Sequence, residues 1–142
     1  MKKVISLFFL FLFCVTGTQS HGAEYLFDKP GLHVFITFKA SHLGYSYILD
    51  HFEDFNGTFA YDPEKPQDSK VHVIIDVESL DTDHAERDKH LRGSDYFDVE
   101  TYPSITFASS SYAGSSTRGV LTGNLSLRGV SKTIAIEVSK IG

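Results

Sequence analysis

Apolar and polar residues alternate with period two along most of this chain. In 33–41, Val34, Ile36, Phe38 and Ala40 share one face, and His33, Phe35, Thr37 and Lys39 the other. In 55–62, Phe55, Gly57, Phe59 and Tyr61 oppose Asn56, Thr58 and Ala60. In 71–77, Val71, Val73, Ile75 and Val77 oppose His72, Ile74 and Asp76. Strict alternation marks half-buried strands. Further strands are expected over 104–112, 120–127 and 133–138, with a short lead-in strand over 24–27. Turn chemistry separates them at Asp28-Lys29-Pro30-Gly31, at Asp62-Pro63-Glu64-Lys65-Pro66, at Gly114-Ser115-Ser116 and at Gly129. The mixed stretch 42–50, broken by Gly44, reads as a short helix or irregular crossover.

One tract breaks the pattern. The tract from Thr82 to Phe97 looks helical, with Asp81, Thr82 or Asp83 as N-cap and Gly93 as stop signal. Between His84 and Arg92 only Ala85 and Leu91 are apolar. A helix without an apolar stripe at i, i+3, i+4 and i+7 does not drive folding by burial. Something other than core packing sets its composition. About six antiparallel strands with one helical insertion predict an all-β sandwich or barrel.

The N-terminus adds a compartment. Lys2 and Lys3 precede an apolar run from Val4 to Val15, followed by small and polar residues to Ala23. This is the layout of a cleaved secretory signal, expected over 1–22, with one domain over 23–142. The run is too short to span a bilayer, which takes about 20 residues. Export predicts a periplasmic protein. Cys14, the only cysteine, lies within the signal after Phe13, which does not suit lipid attachment. The domain therefore has neither a disulfide nor a thiolate site.

Charge excludes some partners. Without Lys2 and Lys3, 11 of the 13 basic residues remain against 18 acidic ones, a net charge of −7. That argues against nucleic acid and against a polybasic attraction to anionic lipid. Candidate catalysis is thin. There is no Gly-x-Ser-x-Gly elbow, and Ser109, Ser110, Ser111, Ser115 and Ser116 read as edge and turn residues. His84 with Asp88, and Glu86 with His90, are spaced i, i+4, but each pair offers one imidazole and they face different ways. A solvated charged helix face explains them as well. No metal is expected to be required, and the metal-dependent enzyme is the least favoured reading. The surplus of Phe and Tyr, with no Trp, fits either an apolar tunnel or a simply packed core, as in a structural or interaction module.

Five stretches carry a resemblance. They are His42-Leu43-Gly44-Tyr45-Ser46, the run Phe52 to Tyr61, the run Asp81 to Arg92 followed by Asp95-Tyr96-Phe97, Tyr102 to Phe107, and Gly123 to Lys132. In this order they resemble the YceI-like family of secreted polyisoprenoid-binding proteins. The resemblance implies a lipocalin-like antiparallel β-barrel with a helix near its mouth. It implies non-catalytic binding of a long isoprenoid, such as a polyprenyl phosphate or an isoprenoid quinone, with no other cofactor. Combined with the residues above, it makes Tyr45, Phe52, Phe59, Phe97 and Phe107 apolar tunnel candidates. His42, His84, Arg87, Asp88 and Arg92 become candidates for a polar mouth, with Arg87 suited to a phosphate. A rival role for Arg87 and Asp88 is to pair with loop residues and fix the helix.

The family's barrel continues past the strand that ends near Lys140, whereas this sequence stops at Gly142. The barrel is thus expected to be incomplete at its C-terminus, with open strand edges that invite aggregation or pairing into a homodimer, and with weakened lipid affinity. For the signal, N-terminal sequencing of exported protein is expected to begin near His21 or Ala23. A mature chain that starts at Met1 in the membrane would contradict it.

Overall fold

The structure is a computed structural model that describes residues 23–27 and 34–140. The signal segment, the turn expected at 28–31, His33 and the last two residues lie outside the described residues.

The described residues form nine strands and one α-helix: β1 (Ala23–Leu26), β2 (Ile36–His42), β3 (Ser46–Phe52), β4 (Phe55–Tyr61), β5 (Lys70–Asp76), β6 (Leu80–Asp81), α1 (Ala85–Arg92), β7 (Ser104–Gly114), β8 (Arg118–Leu127) and β9 (Val130–Ser139). They build a six-stranded sheet in the order β1-β4-β5-β7-β8-β9 and a three-stranded sheet in the order β2-β3-β6. Every strand pairing is antiparallel. The expectation of an all-β fold with one helix holds. The two sheets are not joined into a closed wall, so β1 and β9 are the edges of the large sheet.

The alternation seen in the sequence sets the faces. Gly57, Val73, Phe107 and Leu125 are consecutive register partners across β4, β5, β7 and β8, and all point inward. Phe55, Ile75 and Ile105 form the next row toward α1. Beside them lies the core cluster of Phe52, Val77, Leu80 and Ile105, joined by Ile36, Phe38, Leu91, Phe97 and Leu125. Phe38, Phe52 and Phe97 meet as three rings, with centroids 5.4, 6.0 and 6.2 Å apart.

Three expectations are corrected. Residues 42–50 are neither helix nor crossover. They form the tip and return strand of the β2–β3 hairpin, in register from Ile36↔Phe52 to His42↔Ser46. The turn is tight because Leu43 and Gly44 both take positive φ, 54° and 79°. The strand count is nine because β3 and the two-residue β6 join the six expected strands and the lead-in strand, β1. Ser109, Ser110 and Ser111 are not turn residues but lie inside β7, at a bulge where its register with β8 shifts. There the Ser109 hydroxyl accepts a hydrogen bond from the Val71 N–H at 2.8 Å. A bulge leaves ladder groups unpaired locally, which a serine can satisfy.

Gly129 closes the two-residue β8–β9 turn as expected, at φ 72°, with Arg128 at φ 48°. This is the geometry that suits a right-twisted hairpin.

Leu80 is fully buried at the centre of the cluster between the sheets. Leu80→Ala is expected to destabilise the fold by about 2–5 kcal/mol through lost transfer energy and a residual cavity. Urea denaturation followed by circular dichroism measures it, and a loss under 1 kcal/mol would show that the sheets close around the gap.

Candidate functional site

The inward rows lead to two different ends. At the α1 end the interior is filled by the core cluster. At the other end, around the start of β5 and the last turns of β7 and β9, the interior stays open. A cavity of about 370 Å³ lies there, lined by Phe27, Phe59, Val71, Tyr112, Leu121 and Val138, with Tyr61, Ser69, Thr117 and Lys140 among the remaining walls. Its volume is within the range of small-molecule sites.

Local sequence explains the opening. Phe27 stacks on Phe59 with centroids 6.0 Å apart, and Tyr25 stacks on Phe59 at 4.8 Å. Gly57 makes room for Phe27, because a Cβ there would collide with the ring. The Tyr61 hydroxyl donates to the Ser116 carbonyl at 2.7 Å and that of Tyr112 to Ser115 at 2.7 Å, so both rings present carbon to the cavity. Lys140 brings a cation to the rim, its Nζ 5.9 Å from the Tyr61 ring. The Ser69 Oγ is buried and has no hydrogen-bond partner. Such an atom is costly in an apolar wall unless something satisfies it.

The residues singled out in the sequence are dispersed. Phe59 is in the cavity wall. Phe107 is buried in the middle of β7. Phe52 and Phe97 belong to the core cluster at the α1 end. Tyr45 is 80% exposed on the β2–β3 turn and lines no part of the cavity. His42 is on the same hairpin, its Nδ1 3.4 Å from the Ser46 hydroxyl.

The polar candidates of the helix are tied to the chain that precedes it. His84 is the N-cap: its Nδ1 accepts from the Arg87 N–H at 3.2 Å. The three residues expected in that role have other duties. Asp81 accepts from the Asp83 N–H at 2.7 Å, the Thr82 hydroxyl donates to Asp88, and Asp83 turns the backbone at φ 57°. Gly93 does end the helix, but with φ −66°, so no left-handed cap is involved.

Asp88 is buried and also accepts from the Thr82 N–H at 3.0 Å. Arg87 donates through Nε to the Thr82 hydroxyl at 2.8 Å and through Nη2 to the Thr82 carbonyl. Arg92 donates to the Glu78 carbonyl at 2.9 Å and to the Leu80 carbonyl. These bonds hold α1 on the segment 78–82.

Phe27, Val71, Tyr112, Leu121, Val138 and Lys140 were not singled out as site residues. Alternation identifies several of them as inward. It does not say which end of a barrel is filled and which is open.

One cluster lies elsewhere. The ligand atoms of His51, Glu53 and Asp81 are within 4.8 Å of one another, on the outer face of the small sheet. His51 and Asp81 are register partners. The set offers one imidazole and two carboxylates near solvent, and Asp81 already caps the Asp83 N–H.

The arrangement is that of an antiparallel β domain, two sheets with an apolar pocket inside an unclosed wall. The chain belongs to the YceI-like domain family, which matches residues 25–142. It is similar to the protein YceI of Salmonella arizonae, with 42% identity over 142 residues that span all of this chain and 74% of that relative. Among solved structures, BcnA of Burkholderia cenocepacia aligns with a TM-score of 0.70 and 27% identity, over 76% of this chain and 69% of that one. A polyisoprenoid-binding domain from Saccharophagus degradans, implicated in plant cell wall breakdown, aligns with a TM-score of 0.53 over 72% of this chain and 60% of that one. At 20% identity, that last likeness is one of fold.

Asp50 adds a titrating group near α1. It faces inward from β3, 5% exposed, with its Oδ1 3.8 Å from Arg87 Nη2. Burial raises its pKa above the ordinary 3.8, Arg87 pulls it down, Asp88 pushes it up, and the net direction is up. Between the ordinary value and the raised one, the folded protein holds a proton that the unfolded chain has released. The contribution of Asp50 to stability is therefore full at low pH and is lost as pH rises through the folded pKa. A carbon-detected NMR titration is expected to place this carboxyl above an exposed aspartate. A midpoint at or below the ordinary value would contradict the burial argument.

Proposed function

We propose that this domain binds and carries a long-chain isoprenoid lipid, without converting it, in the cavity between β4, β5, β7, β8 and β9. The observation that carries the reading is the cavity of about 370 Å³ walled by Phe27, Phe59, Val71, Leu121 and Val138. An isoprenoid chain is hydrocarbon with methyl branches and asks for no hydrogen bonds. An apolar wall accepts it without leaving polar groups unpaired. The membership of the YceI-like family agrees with this, and a protein that shares the fold is described as a polyisoprenoid-binding domain.

The polar end of the ligand is assigned to the rim. Lys140 supplies a cation and Ser69 an unpartnered hydroxyl, both in the cavity wall. This favours an amphiphile with an anionic or oxygen-bearing head, such as a polyprenyl phosphate or an isoprenoid quinone. Arg87, Asp88 and Arg92 are committed to the 78–82 segment, so the head group is placed at the end of the barrel away from α1. Export to the periplasm is part of the proposal and rests on Lys2, Lys3 and the apolar run that follows.

Lipid extraction from natively purified protein, read by mass spectrometry, is expected to yield an isoprenoid. Added ligand at a hundredfold excess over Kd is expected to raise Tm by on the order of 10 °C. Val138→Glu places a charge in the wall at a half-exposed position and is expected to weaken binding at least tenfold. Lys140→Ala is expected to weaken a polyprenyl phosphate more than a quinone. An empty extract with no thermal shift, or turnover of the added lipid, overturns the reading.

A further inference from the structure

The outer face of the β2–β3 hairpin is apolar and uncovered. Phe35, Leu43, Tyr45, Tyr47 and Leu49 are each between 66% and 80% exposed. Register places Lys39 opposite Leu49 and Ser41 opposite Tyr47, so these four share one face, with Leu43 and Tyr45 at the tip. Residues 40–47 are exposed on both faces, so the hairpin projects from the body as a finger. Its tip holds a leucine at φ 54°, a conformation that glycine or asparagine adopts with less strain. An apolar patch of this kind marks an interaction surface.

Charge identifies the partner. From Val34 to Leu49 there is no carboxylate, although the whole chain carries a net charge of −5. The cation of that stretch, Lys39, is held with its Nζ 3.8 Å above the Tyr47 ring, at the edge of the apolar patch. Tyrosine prefers the boundary between hydrocarbon and water, because its ring is apolar and its hydroxyl is wet. Lysine beside it reaches back to phosphate while its stem stays on apolar surface.

We propose that the β2–β3 hairpin docks the protein onto a bilayer surface with anionic headgroups. Leu43 and Tyr45 enter the acyl boundary, Tyr47 and Leu49 lie at headgroup depth, and Lys39 meets a lipid phosphate. This rests on the lipid-carrier reading, since a carrier of a water-insoluble chain must meet a membrane to load or unload it. The domain's overall negative charge keeps the rest of its surface off the same membrane, so that the finger orients it.

The test uses the full chain and vesicles free of isoprenoid, so that an empty cavity does not affect the outcome. Flotation with phosphatidylcholine vesicles is compared with flotation on vesicles that also contain phosphatidylglycerol. Wild type is expected to bind the anionic vesicles. Leu43→Ser with Tyr45→Ser is expected to bind at least tenfold more weakly. Lys39→Gln is expected to bind about fivefold more weakly on anionic vesicles and equally on neutral ones. Thermal melting of the variants is expected to match wild type, because the substituted side chains are exposed. Wild type that stays off anionic vesicles, or a double variant that binds as well as wild type, overturns the proposal. So does a wild-type dimer that the double variant splits while neither binds vesicles. Isoprenoid uptake from detergent solution is measured beside these. Wild type that takes up isoprenoid but binds no vesicle defeats the docking alone, and wild type that binds vesicles but takes up no isoprenoid defeats the cavity reading alone.

Discussion

Among the described residues the two sheets share no hydrogen-bonded strand pair, so side chains do most to hold them together. Phe52 of β3 and Leu80 of β6 come from the small sheet, Ile105 of β7 from the large one, and Val77 from the link that crosses between them. The link itself is braced by backbone bonds: the Asp76 N–H donates to Asp54 at 2.9 Å and the Val77 N–H to Pro103 at 3.0 Å. Burial of these four side chains contributes about 1.5–3 kcal/mol each. Without that cluster the hairpin β2–β3 has its own ladder and a short pairing with the two-residue β6, and so small a sheet is marginal in water. The cluster therefore decides which end of the interior is solid.

The polar helix follows from the same constraint. Leu91 and Phe97 supply the apolar contact of the α1 region with the cluster, and the rest of α1 is attached by hydrogen bonds. Asp88 is the critical group: buried, it accepts both the amide and the hydroxyl of Thr82. Bonds to a charged acceptor are worth about 1.5–3 kcal/mol. Arg87 and Arg92 then gather the carbonyls of Thr82, Glu78 and Leu80, which a two-residue strand leaves without ladder partners. The arginines do for an irregular segment what neighbouring strands do elsewhere. That is why a tract so poor in apolar residues is fixed in place.

Much of the fold was legible because period-two alternation reports which face of a strand is buried. It worked for β2, β4 and β5, where Ile36 with Phe38, Phe55 with Phe59, and Val73 with Ile75 lie on the faces that the pattern groups together and are buried or half-buried. It failed at β3, where Tyr47 and Leu49 are apolar yet outward, so that the alternation looks broken. It failed also at the N-cap, where three better capping residues precede His84 and each is used otherwise. The site was harder to read for a different reason. A residue's face follows from local sequence, but its end of the barrel follows from the register of strands far apart. Phe52 and Phe59 occupy equally aromatic strands, and only pairing shows that one joins the sheet-to-sheet cluster while the other borders open space.

A single interior of this size cannot be both well packed and hollow along its whole length. Close packing supplies the stability, and any void lined by side chains forfeits their dispersion contacts. Here the solid part coincides with the crossing between sheets, and the hollow part with the end where β4, β5, β7 and β8 are held by backbone ladders and by side-chain bonds such as Tyr61 to Ser116 and Ser109 to Val71. Ladder hydrogen bonds do not depend on a filled interior, so this end keeps its shape around a cavity. The aromatic stack of Tyr25, Phe27 and Phe59 stiffens one wall without filling it. A hydrocarbon ligand that enters restores the missing contacts, so that binding and folding draw on the same apolar surface.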